Sequence, residues 1–297
     1  DSLSDQGNVS KLTFGTIPPS EYTDGTNSGR FTNGLNYVDH LSSAIGLPVS
    51  PSSLGGSNYA YGGARTATAS IGGNPIGPFS LLEQRDTYIS SLDPTALHIV
   101  WGGSNDLTDI IEGTTDPAEI PLVLGRIGDI LSSLALGGAK TILVPNVPNL
   151  GIVPLVTGGG APNPLATALV AGFNDALAAV IDSLQATFLG THFIEFDSFS
   201  LLTDVYNNPG DYGLTNVSDS CYSLFVLPGG TTCANPEEYL SWDGFHPTSE
   251  AHRILAEAMA RAIPTPPILW LIFIGLVGIG FSQRQRSVYR TTDIEQI

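Results

Sequence analysis

Positive charge is scarce in this chain. Lys and Arg together number 11 of 297 residues against 28 Asp and Glu, a formal charge of −17. Nucleic-acid binding needs cations to neutralise phosphates, so that class is excluded. Broad adhesion to anionic lipid is disfavoured for the same reason. Three of the basic residues, Arg284, Arg286 and Arg290, lie in the last fourteen positions, so the body is more acidic still. Cysteine is nearly absent, with only Cys221 and Cys233. One pair cannot build a disulfide-framed miniprotein, and the spacing is not that of a zinc site. Two readings remain: two reduced core thiols, or one disulfide closing a surface loop. The flanks, Asp219-Ser220-Cys221-Tyr222 and Pro228-Gly229-Gly230-Thr231-Thr232-Cys233, read as loop and favour the disulfide, hence an oxidising compartment. No Gly-x-x-x-x-Gly-Lys loop occurs, which leaves nucleotide binding without support. The start carries no Met, charged leader or apolar leader core.

What is present is an alternation of short apolar runs and amphipathic segments. Hydrophobic residues make up 42% and charged residues 13%, which excludes disorder of the whole chain. Asn33 to Ile45, Pro117 to Leu136, Leu165 to Leu184 and Thr248 to Ile263 read as helices. Leu97 to Trp101, Thr141 to Val144 and Thr191 to Phe196 read as buried strands. This alternation predicts a parallel sheet covered by helices on both faces. Such sheets place ligands in the loops beyond the carboxyl ends of their strands.

Those loops hold the candidate chemistry. In Trp242-Asp243-Gly244-Phe245-His246-Pro247, an Asp three residues before a His can accept the imidazole Nδ1–H and leave Nε2 free as a base. Gly102-Gly103-Ser104-Asn105-Asp106 offers backbone access and an Asn amide, though it is also ordinary turn chemistry. Asn58-Tyr59-Ala60-Tyr61-Gly62-Gly63-Ala64 is a further glycine loop. Ser2, in Asp1-Ser2-Leu3-Ser4-Asp5-Gln6-Gly7-Asn8, is a nucleophile if a base approaches it. His40, His98, His192 and His252 lack metal-ligand spacing and read as satisfied core or surface histidines.

In this order the blocks resemble the GDSL esterases and lipases of the SGNH hydrolase superfamily. The opening block is similar to the family's first, without its leading Gly. Gly29-Arg30-Phe31-Thr32-Asn33-Gly34, Gly63, Gly103-Ser104-Asn105-Asp106 and Asp243 to Pro247 follow the family order. Val144 to Gly151 and Asn208 to Val217 also look like family segments. The resemblance covers residues 1–263. It implies a three-layer α/β/α, flavodoxin-like fold with a mostly parallel sheet, whose first strand is expected to be missing here. It implies Ser2 as nucleophile, His246 as base and Asp243 as its orienting acid. Ser2, Gly63 and Asn105 would form the oxyanion hole. The reaction would be ester hydrolysis through an acyl-enzyme, with no metal and no organic cofactor. A serine near the start also fits the lack of a Gly-x-Ser-x-Gly elbow. The alternatives are a catalytically inactive surface-binding protein on the same fold, a structural surface component, and a metal-dependent phosphoesterase using Asp1, Asp5, Asp243 and His246.

The C-terminal region reads separately. Residues 264–267 form a proline-rich break, and 268–281 run fourteen residues without a charge. At about 1.5 Å per residue this run spans roughly 21 Å, short of the ~30 Å hydrocarbon core. A polar tail with arginines, 282–297, follows. The pattern resembles a bacterial PEP-CTERM-type sorting tail, with Pro264-Thr265-Pro266 where that family has Pro-Glu-Pro. It implies an exported bacterial protein, secreted or held at the cell surface or outer membrane. The segment 268–281 would anchor it transiently in the inner membrane and present it to a sorting protease. The expected partner of the main domain is an ester: a lipid, an acylated polysaccharide or a small ester.

Overall fold

A computed structural model describes residues 1–68, 70–71, 74–75, 79–223 and 230–264. The segments read as linker, apolar run and polar tail lie outside these residues, Pro264 excepted. Residues 1–262 form one compact unit.

A three-stranded parallel sheet lies at the centre of this unit. A short hairpin, β1 (Ser70–Ile71) and β2 (Asn74–Pro75), precedes it. The sheet itself is β3 (Leu97–Ile99), β4 (Thr141–Pro145) and β5 (His192–Phe196), in the order 3-4-5. Leu97 pairs with Thr141, and Thr141 with His192. Ile142, Leu143 and Val144 are all buried, although neighbours in a strand point to opposite faces. A strand of this kind must be covered on both sides, which explains its unbroken apolar run. Two smaller pairings follow. β6 (Asn216–Ser220) runs parallel to β9 (Tyr239–Ser241), and β7 (Tyr222–Ser223) is antiparallel to β8 (Thr231–Thr232). Cys221 and Cys233, which flank β7 and β8, are joined in a disulfide.

The helices are α1 (Asn8–Leu12), α2 (Tyr37–Ile45), α3 (Leu81–Tyr88), α4 (Ser104–Ile111), α5 (Ile120–Leu136), α6 (Pro154–Thr157), α7 (Pro164–Thr187), α8 (Ser198–Asn207) and α9 (Ser249–Ala262). On α5, Val123, Ile127, Ile130, Leu131 and Leu134 form a buried stripe at three- and four-residue spacing. On α7 the stripe is Val170, Phe173, Leu177 and Ile181. Both stripes enter one core with Ile142 and Val144 of β4. By length and composition α7 could cross a membrane, yet this stripe faces the core. Against the expected start at Asn33, α2 begins at Tyr37. Asn36 accepts the N–H groups of Val38 and Asp39, and Asp39 accepts that of Asn36, a capping box that sets the first turn. The helix α9 packs against α2 and also touches β5 and β9. Its first turn is capped by Thr248, whose Oγ1 accepts from Ala251 N at 3.2 Å. The architecture is the expected helix–sheet–helix sandwich.

Candidate active site

Ser2 is 4% exposed and opens a tight turn, with Asp5 N donating to Ser2 O at 3.3 Å. Asp5 fastens that turn. Its Oδ1 accepts from Gly7 N at 2.7 Å and Asn8 N at 2.6 Å, capping α1. Its Oδ2 accepts from Val9 N at 3.2 Å and, across the chain, from Gly62 N at 2.9 Å. Burial pushes this carboxyl up while the four N–H donors pull against it. Asp5 therefore ties the serine turn to the glycine loop.

The glycine loop is laced to α4 residue by residue. Arg65 forms a two-pronged ion pair with Asp109, and its Nη1 donates to Gly63 O at 3.2 Å. Asp106 accepts the Thr66 N–H and the Thr66 hydroxyl, the latter at 2.8 Å. Asn105 Nδ2 donates to Ala64 O at 2.9 Å. An amide nitrogen carries two protons, so one N–H of Asn105 is left for a ligand. Among the described residues, the backbone N–H groups of Ser2 and Gly63 have no acceptor. Gly62 has no room for a side chain: a Cβ there would lie 2.1 Å from Phe31 Cε2.

The 243–247 loop supplies the other half. Asp243 Oδ1 accepts the backbone N–H groups of Phe245 and His246, both at 2.7 Å. Oδ2 meets His246 Nδ1 at 2.7 Å and accepts from Tyr22 Oη at 2.7 Å. Burial alone would raise the Asp243 carboxyl. The adjacent imidazole, these N–H donors and the Tyr22 hydroxyl outweigh it and hold the carboxyl below its ordinary value. A carboxylate only accepts, so Nδ1 carries the proton and Nε2 faces outward as an acceptor. Nε2 lies 3.0 Å from Ser2 Oγ. Two rings neighbour the imidazole, Phe31 at 5.3 Å and Phe245, edge-on, at 5.5 Å.

The segment Gly29 to Gly34 acts as a clasp for this loop. Thr32 Oγ1 donates to Pro247 O at 2.8 Å, and Asn33 Oδ1 accepts Ser249 N at 2.8 Å. Ser2, Asp243 and His246 thus meet, and Gly63 and Asn105 sit on segments bonded to one another. Tyr22 and the Arg65–Asp109 pair have no counterpart in the sequence reading, where Asp5 enters only as a metal-site alternative and not as the tie between the serine turn and the glycine loop. The only local hint was the nearness of Tyr22 and Asp5 to recognisable blocks. Cys221 and Cys233 lie behind the loop, packed with Tyr22, Tyr222 and Trp242. Among the described residues, no group of three or more His, Cys, Asp or Glu is arranged to hold a metal ion.

Such an arrangement can deprotonate a hydroxyl and offer N–H donors to an anion beside it. Comparison with known proteins bears on what it is for. A family description, GDSL-like lipase/acylhydrolase, matches residues 1–259. Three GDSL esterases/lipases of Arabidopsis thaliana are similar along most of their length. One is 29% identical over 90% of this chain and 84% of its own. A second is 27% identical over 86% of this chain and 79% of its own. A third is 26% identical over 88% and 85%. With the match spanning nearly the whole compact unit, the chain belongs to the GDSL-like lipase/acylhydrolase family, hydrolases that act on ester bonds.

Proposed function

We propose that the chain hydrolyses carboxylic esters through an acyl-enzyme on Ser2. The observation that carries this reading is the continuous bond path from Ser2 Oγ through His246 to Asp243, with contacts of 3.0 and 2.7 Å. His246 Nε2 takes the Ser2 proton as Oγ attacks the ester carbonyl, then returns it to the leaving alcohol. Asp243 holds the tautomer and stabilises the imidazolium. Water, activated by the same Nε2, releases the acid in the second half-reaction. The N–H groups of Ser2, Gly63 and Asn105 receive the oxyanion, each contributing roughly 3–4 kcal/mol where it is aimed at the transition state. No metal or organic cofactor enters this scheme.

The substrate is a lipid, an acylated polysaccharide or a small ester. The disulfide supports export to an oxidising exterior, at the cell surface or in secreted form. Membrane contact through residues 268–281, and handling by a sorting protease, belong to the same proposal.

The test is treatment with a serine-reactive fluorophosphonate followed by intact and peptide mass spectrometry. An adduct on Ser2 is expected, with Ser2→Ala abolishing it. His246→Ala should slow both labelling and ester turnover by at least about 10⁴-fold. A folded chain that takes no adduct refutes the reading and favours a binding protein on the same fold.

A further inference from the structure

Tyr22 lies outside every motif on which the family resemblance rests, 221 residues from Asp243 in the chain. Its Oη nevertheless donates to Asp243 Oδ2 at 2.7 Å, the oxygen that also takes the Nδ1–H of His246. The other oxygen is held by the N–H groups of Phe245 and His246. Of four donors on this carboxylate, Tyr22 alone comes from outside the Asp243–His246 turn. Without it, Oδ2 would be held by His246 alone, and every remaining bond to the carboxylate would come from its own turn.

The phenol is itself immobilised. Tyr22 is 5% exposed, with its ring edge-on to Trp242 at 5.7 Å and to Tyr222 at 5.5 Å. Tyr222 stacks on Trp242 at 5.4 Å, and the Cys221–Cys233 bridge packs against the group. The charged and titratable groups that act on the Tyr22 hydroxyl are Asp243, Tyr222 and Glu21. A donor so fixed does two things to a carboxylate. It sets the plane of the group, and it withdraws charge from the oxygen it shares.

We propose that Tyr22 is a positioning residue for the Ser2–His246–Asp243 path: its hydroxyl locks the Asp243 carboxylate and, by sharing Oδ2, moderates the bond from Asp243 to His246. The proposal rests on the reading of His246 as the base. Tyr22 is buried, and its effect passes through Asp243.

The test is proton NMR of the His246 Nδ1–H in the full chain, paired with kinetics on a short-chain ester. In Tyr22→Phe, Oδ2 loses a competing donor, so the resonance moves downfield. The kcat falls about tenfold while KM stays within about twofold, because the lost interaction acts on the transition state rather than on substrate binding. Tyr222→Phe removes a hydroxyl from the same cluster without touching Asp243, and leaves both readouts in place. An unmoved resonance in folded Tyr22→Phe overturns the proposal. So does a Tyr222→Phe shift as large, which would assign the effect to ring packing. If Tyr22→Phe does not fold, 3,5-difluorotyrosine at position 22 keeps the packing and donates more strongly. It should move the resonance upfield, and no movement again overturns the proposal. The resonance needs no turnover. A shifted resonance in a chain whose Ser2 takes no adduct would uphold the Tyr22–Asp243 coupling and sink only the esterase reading.

Discussion

At the scale of single residues, burial without a partner has a measurable cost. His252 is 1% exposed and lies beneath Tyr37, with ring centres 6.3 Å apart. Its Nδ1 has no hydrogen-bond partner. Burial, helped by His40 and His246 and opposed by Asp39, lowers its pKa from 6.5 to about 3. The folded state keeps this ring neutral, whereas the unfolded chain protonates it below about 6.5. The contribution to stability is therefore intact above that pH and is lost as pH falls through the window toward 3. By pH 4.5 the loss from this group alone should be about 3 kcal/mol. Denaturant unfolding of the chain and of His252→Phe at pH 7.5 and 4.5 checks this. The variant should lose about that much less on acidification, and equal losses would exclude His252 as the source. The expectation that His252 is a satisfied core or surface histidine holds for its burial and fails for its satisfaction, since Nδ1 lacks a partner. That missing partner is a tertiary fact that no local pattern encodes.

At the scale of elements, the site depends on two loops pressed together without slack. Gly62 sits against Phe31, and Phe31 sits against His246. A methyl at position 62 would meet the ring at 2.1 Å, so the ring or the loop must shift. Gly62→Ala should cost about 1–3 kcal/mol of stability, in line with overpacking elsewhere. Ser2 labelling should slow with it, because the displaced ring bears on the imidazole. Phe31→Leu in the same chain should recover part of the stability, and thermal unfolding of the two single variants and the double variant reads this coupling. Strictly additive losses would show that the contact is relieved elsewhere. The elements themselves are largely legible in the sequence. β4 is a short apolar run, β5 keeps Phe193, Ile194 and Phe196 buried with His192 and Glu195 exposed, and α5 and α7 carry clear stripes with proline at their starts. Where a side chain terminates an element, boundaries shift by a few residues, as with the Asn36 capping box at α2. The residues that the structure brings together at the candidate site are legible because each sits in a short, recognisable block. The parts played by Tyr22 and Asp5 are not, because their bonds reach Asp243 and Gly62 across 221 and 57 residues.

At the scale of the whole molecule, the parallel sheet has an edge at β3. Among the described residues, β3 pairs with β4 alone. Along its other edge lies a cavity of about 230 Å³, lined by Tyr37, Val38, Leu81, Val100, Ile130 and Leu134 among others. The nitrogen of Asp1 stands 3.5 Å from Trp101 O, just past the carboxyl end of β3. A segment joined ahead of Asp1 would thus run back along this edge. An extension of five apolar, β-branched residues should fill the cavity. Two inward side chains at about 1.5–3 kcal/mol each would raise the melting temperature by several degrees. Calorimetry on both chains, with the rate of Ser2 labelling, tests this. Equal values would mean that the edge needs no partner. The path from Ser2 to His246 also spans 244 residues. Translation adds about 5–20 residues per second, so on the order of 10–50 s pass between the synthesis of the hydroxyl and that of its base. On the proposed reading, the growing polypeptide holds throughout that interval a serine with nothing to activate it. A ribosome-bound or prematurely released fragment that lacks residue 246 would then be chemically silent, and ester cleavage would wait for the 243–247 loop to be made and placed.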